Sequence, residues 1–415
     1  MSPAGGRNPF RLSPLEIASG ILFGSGPGDE QPRAPRSRSP LGALEAAVLP
    51  ALERRLCFVS FSGGRDSSAV LAVAVDVARR RGLPLPVPVT NVFPHAPATR
   101  ETEWQERVVA HLGLDDWIRL EHDDELDVVG PVAARVLRRH GLLWPANAHF
   151  HAPLFEAAAG GSLLTGVGGD EVFGLGRWAR VAAVLSRSAR PTRRDVLRIG
   201  LALLPARARA VALRRRSDVP LPWLRPSARS RAVVAWTAQA AVEPLRFPAR
   251  LSWWRRLRYI GVGIASLELL AAEHGVRAVH PLADPTFLAA LGDLGGRWGF
   301  RSRSAAMRAV FGGLLPGALY EREAKVGFDD IFWNRHCRAF AADWGGEGVD
   351  GDLVDLDALR DIWARGEVYG HMLTLVQAAW LARDEAGSGF DRPEQEARRL
   401  LERAPAARAA ELPGR

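Results

Sequence analysis

Lysine is nearly missing from this chain: of 55 basic residues, 54 are arginine, and Lys325 is the one lysine in 415 residues. Such an imbalance reads as codon bias, so most arginines are expected on solvated surface. A lysine that survives the bias draws attention, because arginine cannot supply a compact ammonium on a flexible stem. Cysteine is scarce as well. Cys57 and Cys337 are the only two, which excludes a disulfide framework and any thiol-based metal site with enough ligands; both are expected to be reduced thiols. Long apolar runs are also absent, since arginine or proline interrupts every stretch before the roughly eighteen residues a spanning helix needs. The opening MSPAGGRNPFRLSP holds no apolar signal region, and a cytoplasmic location is the expectation.

What remains is the balance of a globular protein, with 47% hydrophobic and 24% charged residues. At roughly 150 residues per domain, the length allows two or three domains or one large one. The net charge of +9 would suit an anionic partner, but the arginine bias accounts for it, and nucleic acid is not the expected partner. RRDVLRIGLALLPARARAVALRRRS (193–217) and WWRRLRYIG (253–261) therefore read as ordinary amphipathic helices rather than as a dedicated membrane or nucleic-acid face.

Residues 24–42, rich in Gly, Pro, Ser and Arg, read as a linker. Before it, Leu12–Gly24 carries a helical pattern with a cap at Ser13. A helix is predicted over 44–54, then a strand CFVSF, a glycine turn, a helix AVLAVAVDVARRR and a strand PVPVTNVF, which together make a βαβ unit. A helix over 101–112, a strand over 117–120, a helix over 130–140 and a strand over 162–165 follow. The fold class is thus α/β with a mainly parallel sheet, and after Gly174 the chain turns mainly helical. The division expected is 1–44 for the N-terminal segment and linker, 45–385 for the main domain (45–175 α/β, 176–385 mainly helical) and 386–415 for a tail.

The strongest motif is FVSFSGGRDSS (58–68), between a strand and a helix. Gly63 and Gly64 let the backbone approach a ligand and offer amides to phosphate oxygens at a helix start. Ser62, Ser67 and Ser68 supply hydroxyls. Asp66 is a carboxylate where phosphate would sit, which makes sense when a divalent cation lies between them. The loop lacks the GK[ST] ending of a Walker loop and resembles the SGGxDS pyrophosphate loop of the ATP pyrophosphatases. The second motif, LLTGVGGDEVFG (163–174), follows another short strand. Loops at the carboxyl ends of parallel strands converge on one crevice, so Asp170 is expected to face Asp66 across Mg²⁺, with Gly166, Gly168 and Gly169 shaping the turn.

Together these motifs resemble the synthetase domain of the asparagine synthetase family, whose relatives include β-lactam synthetases and lasso-peptide macrocyclases. Downstream, HGVRAVHPLADPTFLAAL is similar to the family segment ending in P-[FL]-L-D, with Pro281 and Asp284 in place. RSAAMRAVFGGLLPGALYEREAKVGFDD resembles its late signature through Arg308, Leu315, Pro316, Lys325, Gly327 and Phe328. The resemblance, covering roughly 45–385, implies an ATP pyrophosphatase core and puts the sole lysine on the family's catalytic lysine. It further implies ATP and Mg²⁺ as cofactors, with Asp66 and Asp170 as metal ligands. Backbone around Val89, Asn91 and Val92 would receive adenine, and Glu103 would lie near the nucleotide. Glu171 is a further candidate beside Asp170. His149 and His151 are expected to be ordinary loop histidines.

The departures are as informative. Val167 stands where asparagine synthetases carry glutamate and β-lactam synthetases tyrosine, and valine can neither take nor orient a proton. Val279 replaces the family's arginine before the proline, with Arg277 two residues earlier, and Ser304 replaces the lysine that starts the late helix. The N-terminal region is too short for the family's glutaminase domain and has no N-terminal cysteine. The function expected is an ATP-dependent amide ligase that activates a carboxylate as acyl-AMP, acting on a peptide or natural-product acid and amine. Its partners would be a separate protease or glutaminase protein. The alternatives are an asparagine synthase fed by ammonia or a separate glutaminase, a tRNA-modifying enzyme with the same loop, and a non-catalytic scaffold.

Overall fold

The computed structural model describes residues 11–26, 39–96, 99, 101–321 and 327–388. Residues 27–38 of the expected linker, Lys325 and the tail beyond 388 lie outside the described residues. Five strands, β1 (Cys57–Ser60), β2 (Val87–Val92), β3 (Ile118–Glu121), β4 (Ser162–Leu164) and β5 (Arg277–Val279), form one sheet in the order β3-β2-β1-β4-β5. All neighbours run parallel, with Ser60 opposite Val89 and Val59 opposite Leu164. The strand order reverses at β1, so the loops leaving β1 and β4 emerge side by side from one edge of the sheet. Ligand crevices of open parallel sheets form at such a point.

The α-helices up to Glu321 are α1 (Pro14–Ser19), α2 (Pro40–Leu52), α3 (Arg65–Arg81), α4 (Thr102–His111), α5 (Pro131–His140), α6 (Ala152–Ala157), α7 (Gly169–Phe173), α8 (Ala179–Leu185), α9 (Arg193–Leu203), α10 (Ala206–Arg214), α11 (Pro226–Ala241), α12 (Phe247–Arg255), α13 (Arg258–Glu273), α14 (Pro285–Gly295), α15 (Arg303–Phe311) and α16 (Gly317–Glu321). Helix α3 is apolar almost all round and correspondingly buried from Ser67 to Ala78, apart from Asp76, as a helix covered on all sides must be. It packs against the sheet beside α2, which covers β4 and β5, in a core shared with Leu251 of α12, Phe287 of α14 and Phe311 of α15. On the other face Phe58, Val89 and Leu163 meet Val136 of α5, Phe155 of α6 and Leu267 of α13. Strands buried on both faces explain why β1 and β4 read as short continuous apolar runs rather than as alternation.

A separate core joins Ala18 of α1 to Trp223, Trp333 and Trp363. Ser13 and Glu16 form a capping box on α1, whose Ala18 carbonyl accepts from Trp223 Nε1 at 2.7 Å. Cys57 and Cys337 are free and buried; burial pushes the Cys57 thiol up to about 12. The chain after Gly174 is mainly helical as expected, and within it the short strand β5 returns to the sheet. Three residues are too few to show a strand pattern. The strand is set in place by its neighbours: Arg277 N donates to Gly161 O and Thr165 N to Val279 O, both at 3.0 Å.

Candidate functional site

The β1 loop closes on itself. Ser67 Oγ accepts from Ser62 N at 3.2 Å and donates to Gly64 O at 3.2 Å, while Ser62 Oγ accepts from Gly64 N at 3.3 Å. From α4, Gln105 Nε2 donates to Ser62 O at 3.0 Å. Gly63 sits at φ +82°, and a Cβ there would lie 2.6 Å from Gln105 Cγ, so only glycine fits this turn. Ser68 Oγ is buried with no hydrogen-bond partner among the described residues.

The second loop comes into direct contact with the first. A Cβ on Gly169 would lie 2.2 Å from Asp66 Cγ, so the bare glycine is what lets the start of α7 reach the start of α3. Asp66 and Asp170 then share a single cation, the guanidinium of Arg303 at the start of α15. Its Nη2 donates to Asp66 Oδ2 at 2.5 Å and its Nη1 to Asp170 Oδ1 at 2.6 Å. The Asp66 side chain is 17% exposed and that of Asp170 52%. Burial pushes the Asp66 carboxyl up; Arg303 opposes this and Asp170 adds to it. Burial works against the Arg303 charge, but the two carboxylates outweigh it and raise its pKa. Asp66 Oδ1 remains buried without a hydrogen bond among the described residues.

Two convergent carboxylates, one with an orphaned oxygen, fit a divalent cation. Among the described residues no three His, Cys, Asp or Glu side chains converge, so phosphate oxygens and water would complete the octahedral shell that Mg²⁺ prefers. Beside Asp170 opens a cleft of about 420 Å³ walled by Glu171, Arg250 and Trp254. Behind the second loop, Thr165 Oγ1 accepts from Val167 N at 3.3 Å and lies 2.7 Å from His280 Nδ1. Burial lowers both His151 and His280 to about 4. Val167 itself packs against the apolar cluster that holds Phe155 and Leu163.

The structure thus brings Ser62, Gly63, Gly64, Asp66, Ser67, Ser68, Gly166, Gly168, Gly169, Asp170 and Glu171 to one place, and other candidates elsewhere. Glu103 pairs with Arg107 one helical turn on, at 2.5 Å and 75% exposed. The carboxylate that reaches the loop is Glu101, whose Oε2 would stand 3.3 Å from a Cβ on Gly63. Asp284 caps α14, accepting from Thr286 N and Phe287 N. Arg308 pairs with Glu321 at 2.6 Å, and its guanidinium lies 5.8 Å from the Tyr320 ring centroid. The Val89 carbonyl accepts from Phe61 N at 2.9 Å. Asn91 holds neighbouring chain through Phe150 O and His122 Nε2. His149 is buried, with ring nitrogens 3.1 and 3.0 Å from the carbonyls of Ala146 and Leu126.

Arg303 escaped the sequence reading, since one arginine among 54 carries no mark. Its only signal is adjacency to Ser304, the position of the family's late-helix lysine. Ser304 Oγ donates to Tyr320 O at 2.5 Å and Arg65 Nη1 to the same carbonyl at 3.4 Å. These bonds tie the chain five residues before Lys325 to the starts of α15 and α3.

A parallel α/β sheet whose two glycine loops meet at the strand-order reversal, with one acid from each on a shared cation, has the arrangement in which open parallel sheets form a ligand crevice. The sequence model of the asparagine synthase family matches residues 43–382, and the protein belongs to that family of ATP-dependent ligases. No curated protein matches the chain.

Proposed function

We propose that this protein joins a carboxylic acid to an amine at the expense of ATP, through an acyl-adenylate, on a peptide or natural-product substrate. One observation carries the reading: Asp66 and Asp170, from different loops, converge on one cation, Arg303. The ATP tail would lie on the Ser62–Ser68 loop, whose amides and hydroxyls are donors for anionic oxygen. Mg²⁺ would be held by Asp66 and Asp170 and, once bound, would neutralise phosphate charge as pyrophosphate departs. A substrate carboxylate oxygen attacks the α-phosphorus, and the bond from that phosphorus to the bridging oxygen breaks to release pyrophosphate. The amine nitrogen then attacks the acyl carbon, the bond to AMP breaks, and the nitrogen loses a proton as the amide forms. Lys325, by the family resemblance, supplies a point charge to the phosphates and to the acyl centre as charge develops.

Val167 favours a substrate other than aspartate. Its side chain completes an apolar wall where a proton-handling group stands in asparagine synthetases, so the adenylating half is retained and the half that chooses acid and amine is rebuilt. The test is ATP–pyrophosphate exchange with candidate peptide acids. AMP and pyrophosphate are expected as products, and ADP with phosphate from an active preparation would remove the mechanism. Lys325→Ala should lower product formation by at least about a hundredfold while leaving the thermal midpoint within error. Unchanged turnover would discard the role of Lys325.

A further inference from the structure

Helices α9 and α10 turn apolar side chains outward. Val196 is 70%, Leu197 66% and Leu203 71% exposed, and Leu204 and Val211 are exposed beside them. Buried on the opposite side of α9 are Asp195 and Ala202, so Val196, Leu197, Gly200 and Leu203 form a solvent-facing stripe at helical spacing. This is the reverse of the inward apolar face that an ordinary amphipathic helix of a globular protein presents. The hairpin is firmly attached from behind. Arg180 and Arg198 pair with Asp195 at 2.6 and 3.2 Å, and Arg209 Nη2 donates to Ala202 O at 2.8 Å.

Around the stripe the charge is predominantly positive, with Asp218 the one exposed acid between 193 and 218. Eight arginines and one acidic residue, the buried Asp195, lie between 193 and 216. Arg193, Arg194, Arg207, Arg214, Arg215 and Arg216 are exposed. A second copy of this face would be repelled, and nucleic acid offers nothing to Leu or Val. The cleft alongside, about 730 Å³, is walled by Arg198, Leu201, Leu213 and Arg216, and none of the five outward apolar side chains lines it. Outward side chains without a groove need a fluid partner that moulds itself to them, and arginine flanks need an anionic one. Both requirements describe the headgroup and upper acyl region of an anionic bilayer.

We infer that α9 and α10 form a docking face for the surface of an anionic membrane, seating Val196, Leu197 and Leu203 among acyl chains with arginines at the phosphates. No helix among the described residues is long and apolar enough to span a bilayer, so the association is peripheral. It is independent of the ligase reading.

The experiment is flotation of the full chain with vesicles of phosphatidylcholine alone or mixed with phosphatidylglycerol. Binding is expected only to the mixed vesicles, weakening as salt rises. The pair Leu197→Asp and Leu203→Asp should reduce it at least about tenfold, with unchanged circular dichroism and melting because both positions are exposed. Leu294→Asp, at an exposed leucine of α14, should bind as wild type does. Absence of flotation, or equal flotation of the Leu197/Leu203 variant, would overturn the inference. So would capture of an acidic protein or RNA by a chain that ignores the vesicles.

Discussion

At the scale of single residues, Arg303 is the most consequential group. A guanidinium bridging two carboxylates, one of them largely shielded, stands where the proposed divalent ion would stand, so on that proposal metal and arginine would compete for the same oxygens. A ligand that binds only the arginine-released form is weakened by the fraction of chains in that form. Arg303→Ala should therefore bind Mn²⁺, without nucleotide, about tenfold tighter than wild type by electron paramagnetic resonance titration. In chelator the same variant leaves Asp66 and Asp170 facing each other without the Arg303 charge between them, and should lose about 1–3 kcal/mol of stability, discounted for the exposure of Asp170. Mg²⁺ should restore much of that loss. Equal Mn²⁺ affinity in the two proteins would mean that the carboxylates do not form a metal site. The residue scale is also where sequence misleads most. Glu101 and Glu103 are alike in type and two positions apart, yet one lies against Gly63 and the other pairs with Arg107 in solvent. Only the angle at which α4 leaves its loop separates them.

At the scale of elements, legibility followed burial. β1, β2, α3 and β4 were readable because strands covered on both faces, and a helix covered all round, must be written in apolar residues. β5 was not readable, since neighbours and not its own pattern hold it. The α9–α10 hairpin misled in the opposite way, because a stripe of Leu and Val looks the same from the sequence whether it faces inward or outward. The two glycine loops were legible for a steric reason that can be tested. At Gly169 a methyl group would stand 2.2 Å from Asp66 Cγ, and that atom belongs to a side chain held by Arg303. Gly169→Ala must therefore push Asp66 off its place, at a cost of about 1–3 kcal/mol. We expect pyrophosphate exchange to fall by at least about a hundredfold, since a displacement of about 1 Å at the reacting centre is that costly. Ala at Gly313, where a Cβ meets nothing within 4 Å although φ is +90°, should cost stability through the backbone alone and leave exchange intact. Equal exchange rates in the two variants would show that the loops need not touch for the chemistry.

At the scale of the whole molecule, the sheet joins two cores, and two titrating imidazoles flank it, one following β5 and one leading into α6. His280 follows β5 and reaches Thr165 at the end of β4, while His151 leads into α6 on the same face of the sheet. Both imidazoles are lowered to about 4 chiefly by burial, and for His280 the positive field of His151 and Arg255 adds to it. The unfolded chain takes up protons at these rings as pH falls through about 6.5, whereas the folded chain takes them up only near pH 4. Stability from the pair is therefore complete above pH 6.5, declines steadily between 6.5 and 4, and does not fall further below that. With each residue only partly covered by its neighbours, roughly 2–4 kcal/mol for the pair is a fair magnitude. Urea unfolding at pH 7 and pH 4.5 should show wild type losing more stability than a chain carrying His151→Gln and His280→Gln. Glutamine cannot take the proton, and its amide can still meet Thr165. Parallel losses in the two proteins would mean that the rings are solvated in the native state, and that acid sensitivity arises instead among the carboxylates.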